Sequence, residues 1–202
     1  MSKPLEVDIF IPCFIDQVYP ETGFNMIKVL EKAGVKINYN PNQTCCGQIA
    51  FNAGFWDDAK KLGEKFIKDF DNGRMIVGPS ASCIGYVRNG FDELFYNGAY
   101  HNEYKQLQRS IFEITDFLVN VVKVTDLGSV FEHKVTFHDS CAALREYKLG
   151  NEPRILLKNV SGLELVEMEN CHECCGFGGT FAIKFEPIST AMAEQKVHDA
   201  IN

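Results

Sequence analysis

The chain is expected to be an α/β protein of two pseudo-symmetric lobes, each built on a parallel sheet, with the second lobe incomplete towards its C-terminus. Three observations predict this. Apolar strand-like runs alternate with amphipathic helical runs through the first half, the pattern of a parallel sheet with crossover helices. The second half restarts in the same order. The triplet Cys-Cys-Gly occurs twice, at Cys45-Cys46-Gly47 and at Cys174-Cys175-Gly176. Each lobe therefore reads as Rossmann-like.

Taken in order, Val7 to Pro12 (VDIFIP) reads as a strand that delivers Cys13 at its end. A helix follows from Pro20, with Phe24, Ile27 and Leu30 expected on one apolar face and Gly34 as its stop. VKINY is the second strand, and PNQT leads as a loop into the first triplet. Phe55, Ala59, Leu62, Phe66 and Phe70 recur at helical spacing, DNG ends that helix, and the strand MIVGPS delivers Cys83. Loops at the carboxyl ends of parallel strands gather on one edge of the sheet, so Cys13, the first triplet and Cys83 are expected there together. From Tyr104 to Val121 an alternating three-four spacing predicts a single bridging helix with a core-packing stripe, too short for a coiled coil.

The strand KVTFHDSC opens the second half and delivers Cys141. Counted from Cys13 and from Cys141, a glycine (Gly34, Gly162) lies 21 residues on in both halves, and the triplets begin 32 and 33 residues on. This is an internal duplication. Its expected lobes are residues 1–131, with the bridging helix, and 132–202. Cys83 follows Cys46 by 37 residues, and the same step from Cys175 passes beyond Asn202. The second lobe is therefore expected to end on a helix whose apolar face is Ile188, Met192, Val197 and Ile201, without a final strand or cysteine.

Composition narrows the function. In 202 residues with 46% hydrophobic and 23% charged side chains there is enough apolar surface for a core without disulfides. A net charge of −7 with scattered Lys and Arg argues against nucleic-acid or anionic-membrane binding. MSKPLEVD lacks the apolar core of a signal peptide, and no run approaches a membrane span, so a cytoplasmic location is expected. In a reducing compartment eight cysteines, six of them grouped by the duplication, point to metal ligation or redox work rather than disulfides. A free cysteine is otherwise a small buried hydrophobe, which explains a scattered thiol but not two such triplets.

Four thiols from three loops, Cys13, Cys45, Cys46 and Cys83, could hold zinc or an iron–sulfur cluster. Adjacent side chains on an extended backbone diverge and reach separate corners of a cluster more easily than one ion. Gly47 permits a positive φ and brings amide N–H groups close to an inorganic core. The spacing of these residues, with VGPSASC, FHDSC, ECCGFGGTFAIK and ISTAMAEQKV, resembles the cysteine-rich CCG domain family of iron–sulfur oxidoreductase subunits. That family includes a component of heterodisulfide reductase and the glycolate oxidase and anaerobic glycerol-3-phosphate dehydrogenase iron–sulfur subunits. The wording looks closest to its lactate-utilisation A group, along essentially the whole chain.

The resemblance implies cluster ligation by Cys13, Cys45, Cys46, Cys83, Cys141, Cys174 and Cys175, most simply of a [4Fe-4S] cluster. It implies an L-lactate dehydrogenase-type oxidoreductase subunit that works with a ferredoxin-like iron–sulfur subunit and a third lactate-utilisation protein, with L-lactate as the substrate oxidised to pyruvate. Fuller members of the family end the first motif with Cys-x-x-Cys, and here Ser80 takes the earlier position. Four thiolates suit an ordinary cubane rather than a five-cysteine cluster. A zinc-stabilised scaffold that assembles partner proteins without redox turnover is the alternative.

Other residues have bland readings beside sharper ones. Cys171 is either a spare thiol or a ligand that fills the gap in the second set. His138 is either a proton shuttle or a strand-end histidine bonded to Asp139 or backbone. His172 is expected to face solvent. Gly176 to Thr180 (GFGGT) lacks the phosphate-loop order and reads as a tight turn at a metal site. Asp57 and Asp58 read as a helix start, and Arg145 and Lys148 as solvated charges, with attraction of a carboxylate as the sharper alternative.

Overall fold

The computed structural model describes residues 4–201; residues 1–3, on which part of the leader reading rests, and Asn202 lie outside it. Four strands form the main sheet: β1 (Glu6–Ile9), β2 (Lys36–Tyr39), β3 (Met75–Gly78) and β4 (Ile111–Glu113). They run in the order β2-β1-β3-β4 with every pair parallel. The crossovers are α1 (Cys13–Val18) and α2 (Pro20–Lys32) between β1 and β2, then α3 (Gln48–Asn52) and α4 (Trp56–Phe70) between β2 and β3. After β3 come α5 (Ala81–Gly85), a π-helical turn at Tyr86–Gly90, α6 (Phe91–Phe95) and α7 (His101–Ser110). The chain leaves β1 towards β2 on one side and reaches β3 on the other, so the crevice beyond the strand ends lies between β1 and β3.

The remaining chain is smaller. β4 leads into α8 (Ile114–Asp116) and a π-helical turn at Phe117–Val122. The second half pairs β5 (Lys134–Val135) with β6 (Glu164–Leu165) in a two-stranded parallel sheet. Between these strands lie a π-helical turn at Ala143–Tyr147 and α9 (Glu152–Lys158); α10 (Thr180–Lys184) and α11 (Glu186–Ile201) follow. Among the described residues no helix is long and apolar enough to cross a membrane.

Apolar groups cover both faces of the main sheet. On one face Phe10, Phe66, Ile76, Phe91, Tyr104 and Ile111 pack together; on the other Val7, Ile9, Leu30, Val77, Phe117 and Leu118 do. Gly63 lets α4 approach α6: a Cβ there would stand 2.8 Å from the Phe95 ring. Asp8, buried within β1, is satisfied by Asn38, Asn72 and Arg74 at 2.6, 2.6 and 2.8 Å.

Three expectations need correction. The single bridging helix from Tyr104 to Val121 is broken: α7 ends at Ser110, and Ile111–Glu113 form the fourth strand. Ile111 is completely buried and pairs against β3, a placement the helical stripe shares but cannot distinguish from a strand. Glu113 then caps the next turn by accepting from the Thr115 and Asp116 amides. On α2 the buried face is Gly23, Met26 and Leu30, while Phe24 is 58% exposed, because Gly23 sits against Ile11 and turns Phe24 outwards. On α11 most of the expected face stays in solvent: Ile188, Val197 and Ile201 are exposed, Met192 is half-buried against Gly176, and Lys196 is the buried residue.

The halves share packing. Tyr147, from the second half, is buried in the core of the first. Its hydroxyl accepts from the Glu113 amide at 3.0 Å and donates to Asp116, and Arg88 lies over its ring at 4.9 Å. A hydroxyl from one half thus satisfies an N–H on the edge strand of the other. Tyr147→Phe should lower unfolding stability by about 1–3 kcal/mol, the cost of an unpaired buried donor, measured by chemical denaturation. A change within error would show that the edge amide finds another partner.

Candidate metal centre

The first cysteine set is assembled by the polarity of the sheet. Cys13 opens α1 beyond β1, Cys45 and Cys46 end the loop beyond β2, and Cys83 sits in α5 beyond β3. Gln43 pins the middle loop to the end of β1. Its side chain accepts from the Ile11 amide at 2.7 Å and donates to the Ile9 and Asn40 carbonyls. Sequence reasoning passed over this residue, which does not stand out among Asn40, Asn42 and Thr44 in the same polar loop.

The four thiols meet. Cys13 donates to Cys45 with the sulfurs 3.5 Å apart. Cys46, 2% exposed, hydrogen-bonds both Cys45 and Cys83. Donation from Cys46, supported by the Gly47 amide, pulls Cys45 down to about 5 despite burial. Cys83 is also lowered, chiefly by Cys46. Burial, with Cys45 adding to it, pushes Cys13 up to about 11, and the protons shared with Cys45 and Cys83 hold Cys46 well above the ordinary thiol range. Cys45 and Cys83 are therefore the thiols whose ionised form this group favours, and a bound cation would displace the remaining protons. Ser80, in place of a fifth cysteine, caps α5 by accepting from the Cys83 amide at 3.5 Å.

The second set repeats this on a smaller scale. Cys141 stands near Cys174 and Cys175; burial and then Cys174 raise its pKa. In both halves the triplet glycine donates its amide to the first sulfur of the pair, Gly47 to Cys45 and Gly176 to Cys174, each at 3.4 Å. Both glycines have positive φ, +92° and +81°, and both lie under the following long helix. A Cβ would stand 3.2 Å from the Ala59 carbonyl on α4 in the first half, and 2.7 Å from that of Ser189 on α11 in the second. The repeated glycine thus meets two demands at once: a left-handed turn and a helix backbone close overhead.

The sets are linked. The turn after Cys141 packs on α5, which carries Cys83: a Cβ on Gly85 would stand 3.0 Å from the Tyr147 amide nitrogen. Ser82 donates to Gln48 at 2.8 Å, and Gln48 reaches Glu146 at 3.4 Å. Phe14, next to Cys13, touches Phe177, next to Gly176, with ring centroids 5.3 Å apart.

Cys171 stands with Asp139 and His172, their ligand atoms within 4.8 Å of one another. Both oxygens of Asp139 are already held by Arg154, at 2.9 and 2.6 Å, so this carboxylate is chiefly an anchor. His138 Nδ1 meets the Cys171 carbonyl at 3.0 Å, and His172 is largely exposed. Asp57 and Asp58 occupy the first turn of α4. Arg145 lines a cleft of about 550 Å³ beside Cys174 with His172 and Lys196, and Lys148 ends the π-helical turn in a left-handed conformation. Gly176, Gly178 and Gly179 all have positive φ, which makes GFGGT a tight turn.

The donor set fits a thiophilic metal group: soft sulfur ligands, three anchoring loops, and N–H donors aimed at sulfur. The model of a cysteine-rich domain, CCG, matches residues 7–88 and 135–202. The chain is 38% identical over 194 residues to lactate utilization protein A 2 of Bacillus cereus (strain 03BB102), covering 96% of this chain and 80% of that protein. It is 39% identical over 193 residues to lactate utilization protein A of Oceanobacillus iheyensis, covering 95% and 79%.

The two kinds of glycine separate strain from crowding. Gly34→Ala, at φ +79° with nothing within 4 Å, should cost about 1 kcal/mol. Gly176→Ala, with the same sign of φ and a carbonyl at 2.7 Å, should cost about 3 kcal/mol. Denaturation midpoints of the two variants check this, and equal losses would contradict the close approach of α11.

Proposed function

The chain belongs to the cysteine-rich CCG domain family, and on that premise we propose that it is the iron–sulfur, electron-transferring subunit of a multi-protein system oxidising L-lactate to pyruvate. The observation that carries this reading is the meeting of Cys13, Cys45, Cys46 and Cys83 in one hydrogen-bonded group, echoed by Cys141, Cys174 and Cys175. The lactate assignment is supported by what its relatives are called. The setting is a reducing cytoplasm, consistent with eight free cysteines.

A [4Fe-4S] cluster held by these thiolates supplies reversible one-electron chemistry. The chain provides the rest. Thiolates fix the group to the rim of a rigid sheet, the Gly47 and Gly176 amides draw charge from sulfur, and the buried Cys46 side excludes water. Oxidation of lactate to pyruvate releases two electrons and two protons, and one-electron centres pass those electrons on singly. The partners are a ferredoxin-like iron–sulfur subunit and a third protein of the same system.

A second reading, a zinc-bound scaffold, is favoured by one distance. Thiolates about 2.3 Å from a single tetrahedral ion lie roughly 3.8 Å apart, near the 3.5 Å between Cys13 and Cys45. Thiolates on separate irons of a cluster must spread further.

Anaerobic purification followed by metal and sulfide analysis tests the choice. Iron with matching acid-labile sulfide, and a colour bleached by dithionite, is the expected result. Cys45→Ser should weaken metal retention by at least the roughly 10–100-fold that outer-shell losses alone cause. Zinc without sulfide would overturn the redox reading and leave the scaffold.

A further inference from the structure

Tyr86 is 4% exposed, and among the described residues its hydroxyl is buried without a hydrogen-bond partner. This is unusual for a phenol that the fold holds so deliberately. The ring lies against Gly90, where a Cβ would come within 2.6 Å of it, and is flanked by Phe51 and Phe91 at 5.4 and 5.3 Å between centroids. A phenylalanine would fill the same apolar seat without stranding a donor.

The surroundings of the hydroxyl are specific. Tyr86 begins the π-helical turn that continues α5, three residues beyond Cys83, and packs in one cluster with Cys46, Cys45 and Cys83. Burial raises its pKa, and ionisation of the neighbouring Cys46 and Cys45 would raise it further. The phenol therefore shares a buried cluster with these sulfurs, while each sulfur's present hydrogen bonds go to other groups. Widened helical turns recur where a side chain must be re-aimed at a functional site.

We propose that Tyr86 is a positioning residue whose hydroxyl donates a hydrogen bond to sulfur of the metal group held by Cys13, Cys45, Cys46 and Cys83. The inference deepens the reading given above and rests on it for a redox-active group. Donation to sulfur stabilises the more negative, reduced form, so it raises the reduction potential. It also makes the hydroxyl a cost to the metal-free protein and an asset to the loaded one.

Tyr86→Phe tests this, because it keeps the ring and removes only the oxygen. In metal-free protein the variant should melt at the same temperature as wild type or higher. In protein reconstituted with iron and sulfide, a redox titration followed by visible absorption and electron paramagnetic resonance should show the oxidised-to-reduced ratio at fixed poise rising about tenfold, a potential about 59 mV lower for a one-electron couple. Equal iron content in both proteins confirms that loading is intact. An unchanged potential, or a metal-free variant that melts lower than wild type, overturns the proposal. If the site takes zinc and no iron, the redox reading fails on its own; faster loss of zinc to a chelator from Tyr86→Phe then still supports the donor, and equal rates refute it.

Discussion

The polarity of a small parallel sheet is the constraint from which the rest follows. With β1, β2 and β3 all running one way, each strand hands its next residues to the same edge, and each hands over cysteine. Nothing else brings positions 13, 45, 46 and 83 together, since they come from three separate segments of the chain. Gln43 makes the convergence tight by tying the middle loop to the end of β1. The resulting thiols share protons, with Cys46 favoured as the donor and the ionised form of Cys45 favoured beside it. Such a group is costly to bury empty, and a soft cation relieves it.

The second half uses the same device with less sheet behind it. Its two strands are two residues each, too short to be stable alone, and it borrows rigidity from the first half. Tyr147 enters the neighbouring core and satisfies an edge amide, Arg88 lies across its ring, and α5 packs on the turn that follows Cys141. These contacts hold the turn that follows Cys141 against the helix that carries Cys83 rather than leaving the second half loosely tethered. The Phe14–Phe177 contact adds an apolar bridge between residues that adjoin a cysteine in one set and a triplet glycine in the other.

Much of this was legible in the sequence, for physical reasons. The strands β1, β2 and β3 announce themselves by β-branched runs bounded by turn residues, and the cysteines fall just beyond them. Gly47 is expected to permit a positive φ and takes one, and the repeated Gly176 does the same. Other features were hidden because their signals are shared by two structures. The stripe from Tyr104 to Val121 suits a helix, yet Ile111–Glu113 complete the sheet, where three residues fit either pattern. Phe24 and, on α11, Ile188, Val197 and Ile201 look like core by spacing and stay exposed, because which face of a helix is covered depends on its tertiary neighbours. Tyr86 carried no signal at all; a stranded hydroxyl is a property of its surroundings, not of its letter. Ser80 stands where fuller motifs carry a cysteine, and it is the cap of the helix that carries Cys83.

The central claim is that cysteine sulfur, and not mixed oxygen and nitrogen donors, surrounds a metal at this sheet edge. X-ray absorption at the iron and zinc edges of anaerobically prepared protein tests it most directly. The account predicts a first shell dominated by sulfur near 2.3 Å, lost when Cys13, Cys45, Cys46 and Cys83 are replaced together. A shell of oxygen and nitrogen, or one that survives that replacement unchanged, would contradict it.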